Sequence, residues 1–520
     1  MGGGLDLEFK VRTLDLEAFG KYIVVLGVDD AKRLGVMSTD RIELSTMGST
    51  LVAILNTASE FPHGCLGVFK EVRTRLELSD GDVIQVRPAD RPESLSSIRE
   101  KINGEKLVAS QIEALVKDVV ERHLSEIEIA SFVTALHVYG MSMEEAEALS
   151  RSMVRMGRTI DFKRKPILDK HSIGGVPGDK TTLIVTPIVA AAGYTIPKSS
   201  SRAITSPAGT ADRMEVLAPV NLRIEEIIEV VDKVGACIVW GGALDLAPAD
   251  DIFIQVEYPL SIDPLLLPSI LSKKKAMGSS HIVIDIPVGR GAKMNTLSQT
   301  NQLAQDFIIL GSRLGMHIEC AVTEGDQPIG HAIGPALEAR EALETLLGGG
   351  PPDLVDKATS LAGILFEMVG EENGKEKAIE LLASGKAMVK MREIIEAQGG
   401  DPQVSPEDLE VGENQFDILA DRDGRVLSVE NKAIARIART AGAPNDKGAG
   451  LLLNAKLGDP ASEGEPLYKI FAENSQKLEQ AVELAENLRP IGVGNRIGET
   501  MLIKQIKGVI RRGDRFILER

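Results

Sequence analysis

KHSIGGVPGDKTT (170–182), LIVTPIVAAAGYTIP (183–197) and KSSSRAITSPAGTAD (198–212) follow one another without a break, a glycine-bearing polar stretch, an apolar one and a hydroxyl-rich one. The first continues the strand-like run KPILDKH, and the apolar residues beyond Lys180 read as a helix. A glycine-rich turn from strand to helix presents free backbone N–H groups at a helix N-terminus, where the unpaired donors and the macrodipole favour an anion. The third stretch adds hydroxyls from Ser199, Ser200, Ser201, Thr205, Ser206 and Thr210, with the forked donor of Arg202. Either polar stretch alone is an ordinary turn. In tandem they read as two halves of an oxyanion pocket at strand ends, with phosphate as the guest.

Outward from this point strands and helices alternate. GYTIPKSS, ACIVWGG, HIVIDIPVG and HIECAVT are strand-like, and helical patterns fall at 224–234, at about 297–314 and in ALEAREALETLLGG. Residues 165–412 therefore form an α/β domain with a mixed or parallel sheet. Before it, residues 95–163 have helical period. Ser110 with Glu113 reads as a capping box ahead of Ile112, Leu115, Val116, Val119 and Val120; Ser142 with Glu145 repeats it, and Gly157 supplies a stop. SIDPLLLPSILSKKKAMG is helical too and is expected to rejoin that lobe over about 253–278. Two chain crossings then make a hinge, with a ligand cleft between the lobes. On this segment Ser269 and Lys273 share one helix face, while Lys274 and Lys275 read as a solvated face.

The ends are β-rich. Residues 1–88 form a small barrel-like domain, because DDAKRLGVMSTDRIELS and TRLELSDGDVIQVRP repeat one pattern of helix, Asp and strand; PADRPES (88–94) is the linker. Residues 413–520 form an α+β domain with a helix over 475–488.

The chain has 520 residues, so about three or four domains are expected. Its net charge of −17 opposes a nucleic-acid partner, and 3% aromatic residues provide few base-stacking platforms. Any phosphorylated ligand must be held by a local site. Cys65, Cys237 and Cys320 form no Cys-x-x-Cys pair, which fits a reducing, cytoplasmic setting and indicates no metal. MGGGLDLEFK is not a signal peptide, and no apolar run is long enough to span a membrane.

DKHSIGGVPGDKTTLIVTPIVAAAG, SSRAITSPAGTADRME, LAPADD, PSILSKKKAMG and QPIGHAIGPALEAREALE, in this order, resemble the thymidine and pyrimidine nucleoside phosphorylase family. The chain is most similar to the archaeal branch acting on nucleoside monophosphates. The resemblance covers residues 95–500, and the N-terminal β domain is similar to an extension of that branch. It implies a two-lobed nucleoside phosphorylase architecture and phosphorolysis of AMP to adenine and ribose 1,5-bisphosphate, with CMP and UMP as further substrates. No cofactor is implied beyond inorganic phosphate as co-substrate, and the chain is expected to form a homodimer or a higher oligomer through its terminal domains. By the same resemblance the attacking phosphate sits among Lys170, Ser172, Thr182, Ser200 and Thr210. The nucleotide is held by Gly175, by Ser201, Arg202, Ala203, Ile204, Thr205 and Ser206, and by Thr210, Ser269 and Lys293. Asp263 is the implied general acid, Lys273 helps bind base or sugar, and His171 touches the base.

Rival readings follow from the residues themselves. Asp263 before Pro264 is also a standard helix cap, and Arg202 also reads as a tie for its own loop. Pyrimidine-specific members carry an Arg where Glu257 stands here, and a carboxylate accepts from an exocyclic amine, which favours adenine or cytosine. Pro177 and Pro207 depart from the general pattern, and the segment from Asp263 to Ser269 is short. The competing functions are a thymidine or pyrimidine nucleoside phosphorylase, a phosphoribosyltransferase with magnesium on Asp250 and Asp251, and a non-catalytic nucleotide-binding scaffold.

Overall fold

The computed structural model describes residues 6–494 except 19, 91, 204 and 205. At the N-terminus β1 (Leu7–Thr13), β2 (Ile23–Gly27), β3 (Arg41–Ser45), β4 (Thr50–Ala58), β5 (Cys65–Val68) and β6 (Val83–Pro88) close into a barrel in the order β1-β5-β2-β4-β3-β6. Alternation decides which side chains fill it: Leu51, Ala53 and Leu55 of β4 and Ile84 and Val86 of β6 point inward. The sequence repeat has a structural basis. Asp40 Oδ2 accepts the Met37 N–H at 2.8 Å and Asp82 Oδ2 accepts the Ser79 N–H at 2.7 Å, the same turn ahead of β3 and of β6.

The helical lobe contains Ser94–Ile102, Ala109–Val120, Glu126–Tyr139 and Met143–Met156, joined by the returning helices Pro248–Leu260 and Leu266–Ala276. The first five share a core that includes Leu115, Val119, Phe132, Met153 and Phe253, while Ile270 and Leu271 of the last pack in a neighbouring cluster with Ala146. The Ser142–Glu145 box forms as expected, at 2.8 and 3.3 Å. Ser110 is not a cap: its helix starts one residue earlier, and the Gln111 side chain accepts the Val108 N–H at 3.0 Å. The return begins at Pro248, ahead of residue 253, because proline suits the first helical position.

In the α/β lobe β7 (Leu168–Ser172), β8 (Ile196–Ser200), β9 (Ala236–Trp240), β10 (His281–Val288) and β11 (His317–Glu324) make the ladders β11-β10-β7 and β8-β9, parallel throughout. The two meet at the Ile167–Thr195 bridge, where Leu168 N–H donates to Thr195 O at 2.8 Å. Further along, β7 and β8 face each other through Asp169 and Lys198, 3.3 Å apart. The chain runs outward through β8 and β9 and then returns to β10 on the other side of β7. That reversal is a topological switch point, outside whose strand ends open α/β sheets bind ligands.

β12 (Ala332–Ile333) belongs by sequence to this lobe but pairs with β15 (Gly450–Leu453) of the C-terminal domain. The sheet there runs β12-β15-β17-β13, with β13 at Asn414–Leu419 and β17 at Pro466–Ala472; β14 (Gly424–Val429), β16 (Pro460–Ala461) and β18 (Ile491–Gly494) make a second sheet. The loop entering β12 is tied on both sides. Lys456 Nζ donates to Gly330 O at 2.8 Å, and fully buried Lys180 donates to Ile329 O at 3.0 Å and Ala332 O at 2.9 Å and pairs with Glu341.

Removing one partner of a buried ion pair strands the other charge, at a cost of about 3–5 kcal/mol. Glu341→Ala is therefore expected to lower stability by roughly that amount, read as a lower urea midpoint, and Glu341→Gln, which keeps an acceptor, by less.

Candidate active site

The glycine-rich turn leaves β7 at Ser172 and enters the helix Thr181–Ala191. Gly174, Gly175 and Gly178 have φ of +83°, +96° and +76°, so the turn needs glycine to follow this path. The second loop leaves β8 at Ser200 and reaches the helix Thr210–Glu215, and a third leaves β10 and carries Lys293. All three loops start at carboxyl ends of parallel strands, two of them flanking the switch point. Gly175 lies against the third loop, where a Cβ would stand 2.6 Å from Lys293 N.

Lysines surround this point, each held differently. Lys170 is buried, with Nζ 2.6 Å from Thr181 Oγ1 and 3.3 Å from Asp179. Burial opposes ionisation of Asp179, yet Lys170 and Lys357 hold its carboxyl far below the usual range. Asp169 sits between Lys198 at 3.3 Å and Lys274 at 2.8 Å; burial opposes its charge, but the two ammonium groups keep it ionised, below the ordinary carboxylate value. Burial, with Lys274 close by, lowers the pKa of the Lys198 ammonium from the ordinary lysine value, while Asp169 works against that shift. Half-buried His171 is likewise held well below its usual range, by burial first and then by Lys274, Lys198, Lys170 and Lys293. It is therefore neutral at pH 7 and can both donate and accept.

From the helical lobe, Ser269 and Lys273 share a face as expected and converge on Asp250: Ser269 Oγ donates at 2.8 Å and Lys273 Nζ lies at 2.5 Å, with Asp251 at 3.5 Å. Asp263 reaches across the cleft to Lys293, Oδ2 to Nζ at 2.8 Å, and joins the two lobes. Both side chains are about as exposed as they are covered, 44% and 40%, so the pair contributes at most about 1 kcal/mol. The cap reading of Asp263 fails: the next helix starts at Leu266 and receives no side-chain cap.

The remaining expected residues divide. Ser172 and Ser200 are half-buried at the loop starts, Thr210 is half-buried where the second loop ends, and Thr182 is buried in the first turn of its helix. The Ser200 hydroxyl donates to Val239 O at 3.1 Å. Ser201 is exposed and Ser206 donates to Ala208 O at 3.2 Å, while Ala203 N–H donates to Asp212 at 2.7 Å. Arg202 ties its loop, with 2.6 and 2.5 Å bonds to Glu215 and its guanidinium 4.9 Å from the Trp240 ring. Ile204 and Thr205 lie outside the described residues.

Three features escaped the sequence reading. Lys274 is no solvated face; it is 3% exposed and donates to Ser199 O at 3.1 Å. Asp179 and Thr181 are the anchors of Lys170. Glu257 is not open to a base: it is buried, and Oε1 accepts the Leu265 N–H at 3.1 Å. One signal was available for the first, since Asp169 and Lys198 are charges inside parallel strands covered on both faces, and such charges require buried partners.

Comparison with known proteins identifies the lobes and the C-terminal domain. Residues 164–388 match the glycosyl transferase family a/b domain, 95–157 its helical bundle domain, and 426–492 the pyrimidine nucleoside phosphorylase C-terminal domain. The chain is 51% identical to AMP phosphorylase of Thermofilum pendens, over 96% of this chain and 98% of that one. It is 49% identical to AMP phosphorylase of Thermococcus sibiricus, over 97% and 100%, and 49% identical to that of Methanosarcina barkeri, over 96% and 99%.

Because a Cβ at Gly175 would meet Lys293 N and its φ is positive, Gly175→Ala is expected to push the first and third loops apart. Affinity for phosphate or sulfate should fall about tenfold or more, about 1.4 kcal/mol, by titration calorimetry, and the melting temperature should fall with it, because Ala is strained at φ +96°.

Proposed function

The chain belongs to the AMP phosphorylase family, and we propose that the cleft between its helical and α/β lobes is where AMP and inorganic phosphate become adenine and ribose 1,5-bisphosphate. The observation that carries this reading is the convergence of three loops from β7, β8 and β10, ringed by Lys170, Lys274 and Lys293, on a cleft that Asp263 and Lys273 enter from the other lobe.

The chemistry needs positioning and electrostatics, since phosphate itself is the nucleophile. The turn N–H groups and the N-terminus of Thr181–Ala191 favour an anion, and Lys170, Ser172, Thr182, Ser200 and Thr210 are the residues to hold the attacking phosphate. Gly175, residues 201–206, Thr210, Ser269 and Lys293 are those for the nucleotide. Neutral His171 suits contact with a base, Lys273 is steadied for the sugar or base by Asp250, and Asp263 is the proton donor to the departing ring. With Arg202 paired to Glu215, the 5′-phosphate falls to Lys293 and backbone donors. No cofactor enters the reading. Asp250 and Asp251, the candidate magnesium ligands, are occupied by Lys273, which supports a metal-independent reaction. Among the described residues no helix is long and apolar enough to cross a membrane; a cytoplasmic location and a homodimer extended through the terminal domains complete the proposal.

The test is phosphate-dependent release of base from AMP, CMP, UMP, thymidine and uridine, with ribose 1,5-bisphosphate followed by phosphorus NMR. AMP is expected to lead, and EDTA to leave the rate unchanged. Preference for thymidine would overturn the assignment in favour of a pyrimidine nucleoside phosphorylase, and AMP binding without turnover in favour of a scaffold. Lys170→Met should raise the KM for phosphate about 10- to 100-fold, the loss of one charge-assisted hydrogen bond.

A further inference from the structure

Among the cleft lysines, Lys293 is the one whose partner is easily surrendered. Lys170, Lys273 and Lys274 pair with Asp179, Asp250 and Asp169, whose side chains are 14%, 0% and 0% exposed, whereas Lys293 pairs with the 44%-exposed Asp263. A carboxylate oxygen that accepts from an ammonium at 2.8 Å holds no proton to hand on. As the pair stands, the proton donor of the proposed reaction is switched off.

The loop bearing Asp263 wraps around one buried side chain. Glu257, on the helix Pro248–Leu260, takes the Ile262 N–H on its backbone oxygen at 3.2 Å and the Leu265 N–H on Oε1 at 3.1 Å. Burial first, and then the charge of Asp263, push the Glu257 carboxyl up to about 7; Asp250 acts in the same direction and Lys293 against it. Asp250 is itself compensated by Lys273 at 2.5 Å. Lys293 is thus the cation paired with Asp263, and Glu257 lies close enough to feel both charges; two nearby carboxyls that lose such a cation share a proton.

We propose that Lys293 couples proton donation to the substrate's 5′-phosphate: the phosphate draws the ammonium away from Asp263, which then takes up a proton beside Glu257. This rests on the assignment of Lys293 and Asp263 made above. In the step that follows, a hydrogen phosphate oxygen bonds to C1′ as the bond from C1′ to the base nitrogen breaks. The bonding pair stays with the base, and the Asp263 proton moves to a ring nitrogen. The proton of the attacking hydrogen phosphate goes to solvent, from which Asp263 is reloaded. Once ribose 1,5-bisphosphate leaves, Lys293 returns to the carboxylate. Glu257 is a positioning residue, acting through Asp263. Adenosine has no group to draw Lys293 away, so it is rejected in the chemical step as well as in binding.

Lys293→Met and Glu257→Gln test this on the full chain with AMP, adenosine and phosphate. Lys293→Met is expected to raise the KM for AMP about tenfold or more and to raise kcat/KM for adenosine about tenfold, because the acid is no longer quenched. A raised KM with no gain on adenosine overturns the coupling and leaves the functional assignment standing; an unchanged KM overturns the coupling together with the assignment of Lys293 to the nucleotide. The amide introduced by Glu257→Gln keeps a carbonyl for the Leu265 N–H but carries no negative charge. Asp263 must carry a proton to donate one, and a neighbouring negative charge favours the protonated form of a carboxyl. Glu257→Gln should therefore move the alkaline limb of kcat for AMP down by about one pH unit with KM little changed. An unmoved limb with thermal stability retained overturns the part assigned to Glu257.

Discussion

Asp169 between Lys198 and Lys274 is the interaction on which the cleft depends. Two strands of a parallel sheet ordinarily continue their ladder, but here β7 and β8 meet at one bridge and are then linked by side chains. Lys274 comes from the helical lobe's returning helix and also donates to Ser199 O, so one carboxylate joins both strands and both lobes. A buried ionic cluster contributes little net stability and is expensive to break. What it provides is placement, because Lys273, one residue away, is thereby aimed at Asp250 and the cleft.

A net charge of −17 does not by itself bar an anion from a cleft lined by such a cluster. Charge summed over the molecule governs long-range attraction, whereas a few ammonium groups in a low-dielectric interior govern the last few ångströms. His171 registers that local field, being kept neutral by burial first and then by lysines on several separate segments.

Much of this was legible in the sequence, and the gaps have physical reasons. Periodicity placed the helices Ile224–Val234 and Ser475–Leu488, because apolar spacing is a property of the chain itself. The two polar loops were legible because glycine and hydroxyl residues mark turns that present donors. Ser110 misled, since any Ser three residues before Glu mimics a box and only backbone geometry shows that the helix starts at Ala109. Lys274 and Glu257 misled for a deeper reason. Both are charged residues on helices, and whether such a face meets water or another lobe depends on contacts far away in the chain or on a loop that folds back, as at Leu265.

The pairing of β12 with β15 has a bearing on descent. Composition draws a border near residue 413, and a recombination event there would look harmless on paper. It would leave a strand edge bare on one side and, on the other, strip Lys456 from the loop whose carbonyls steady Lys180 behind the glycine-rich turn. The terminal module is thus inherited together with the glycine-rich turn, and exchange of such modules between lineages would be filtered by the fit of that seam.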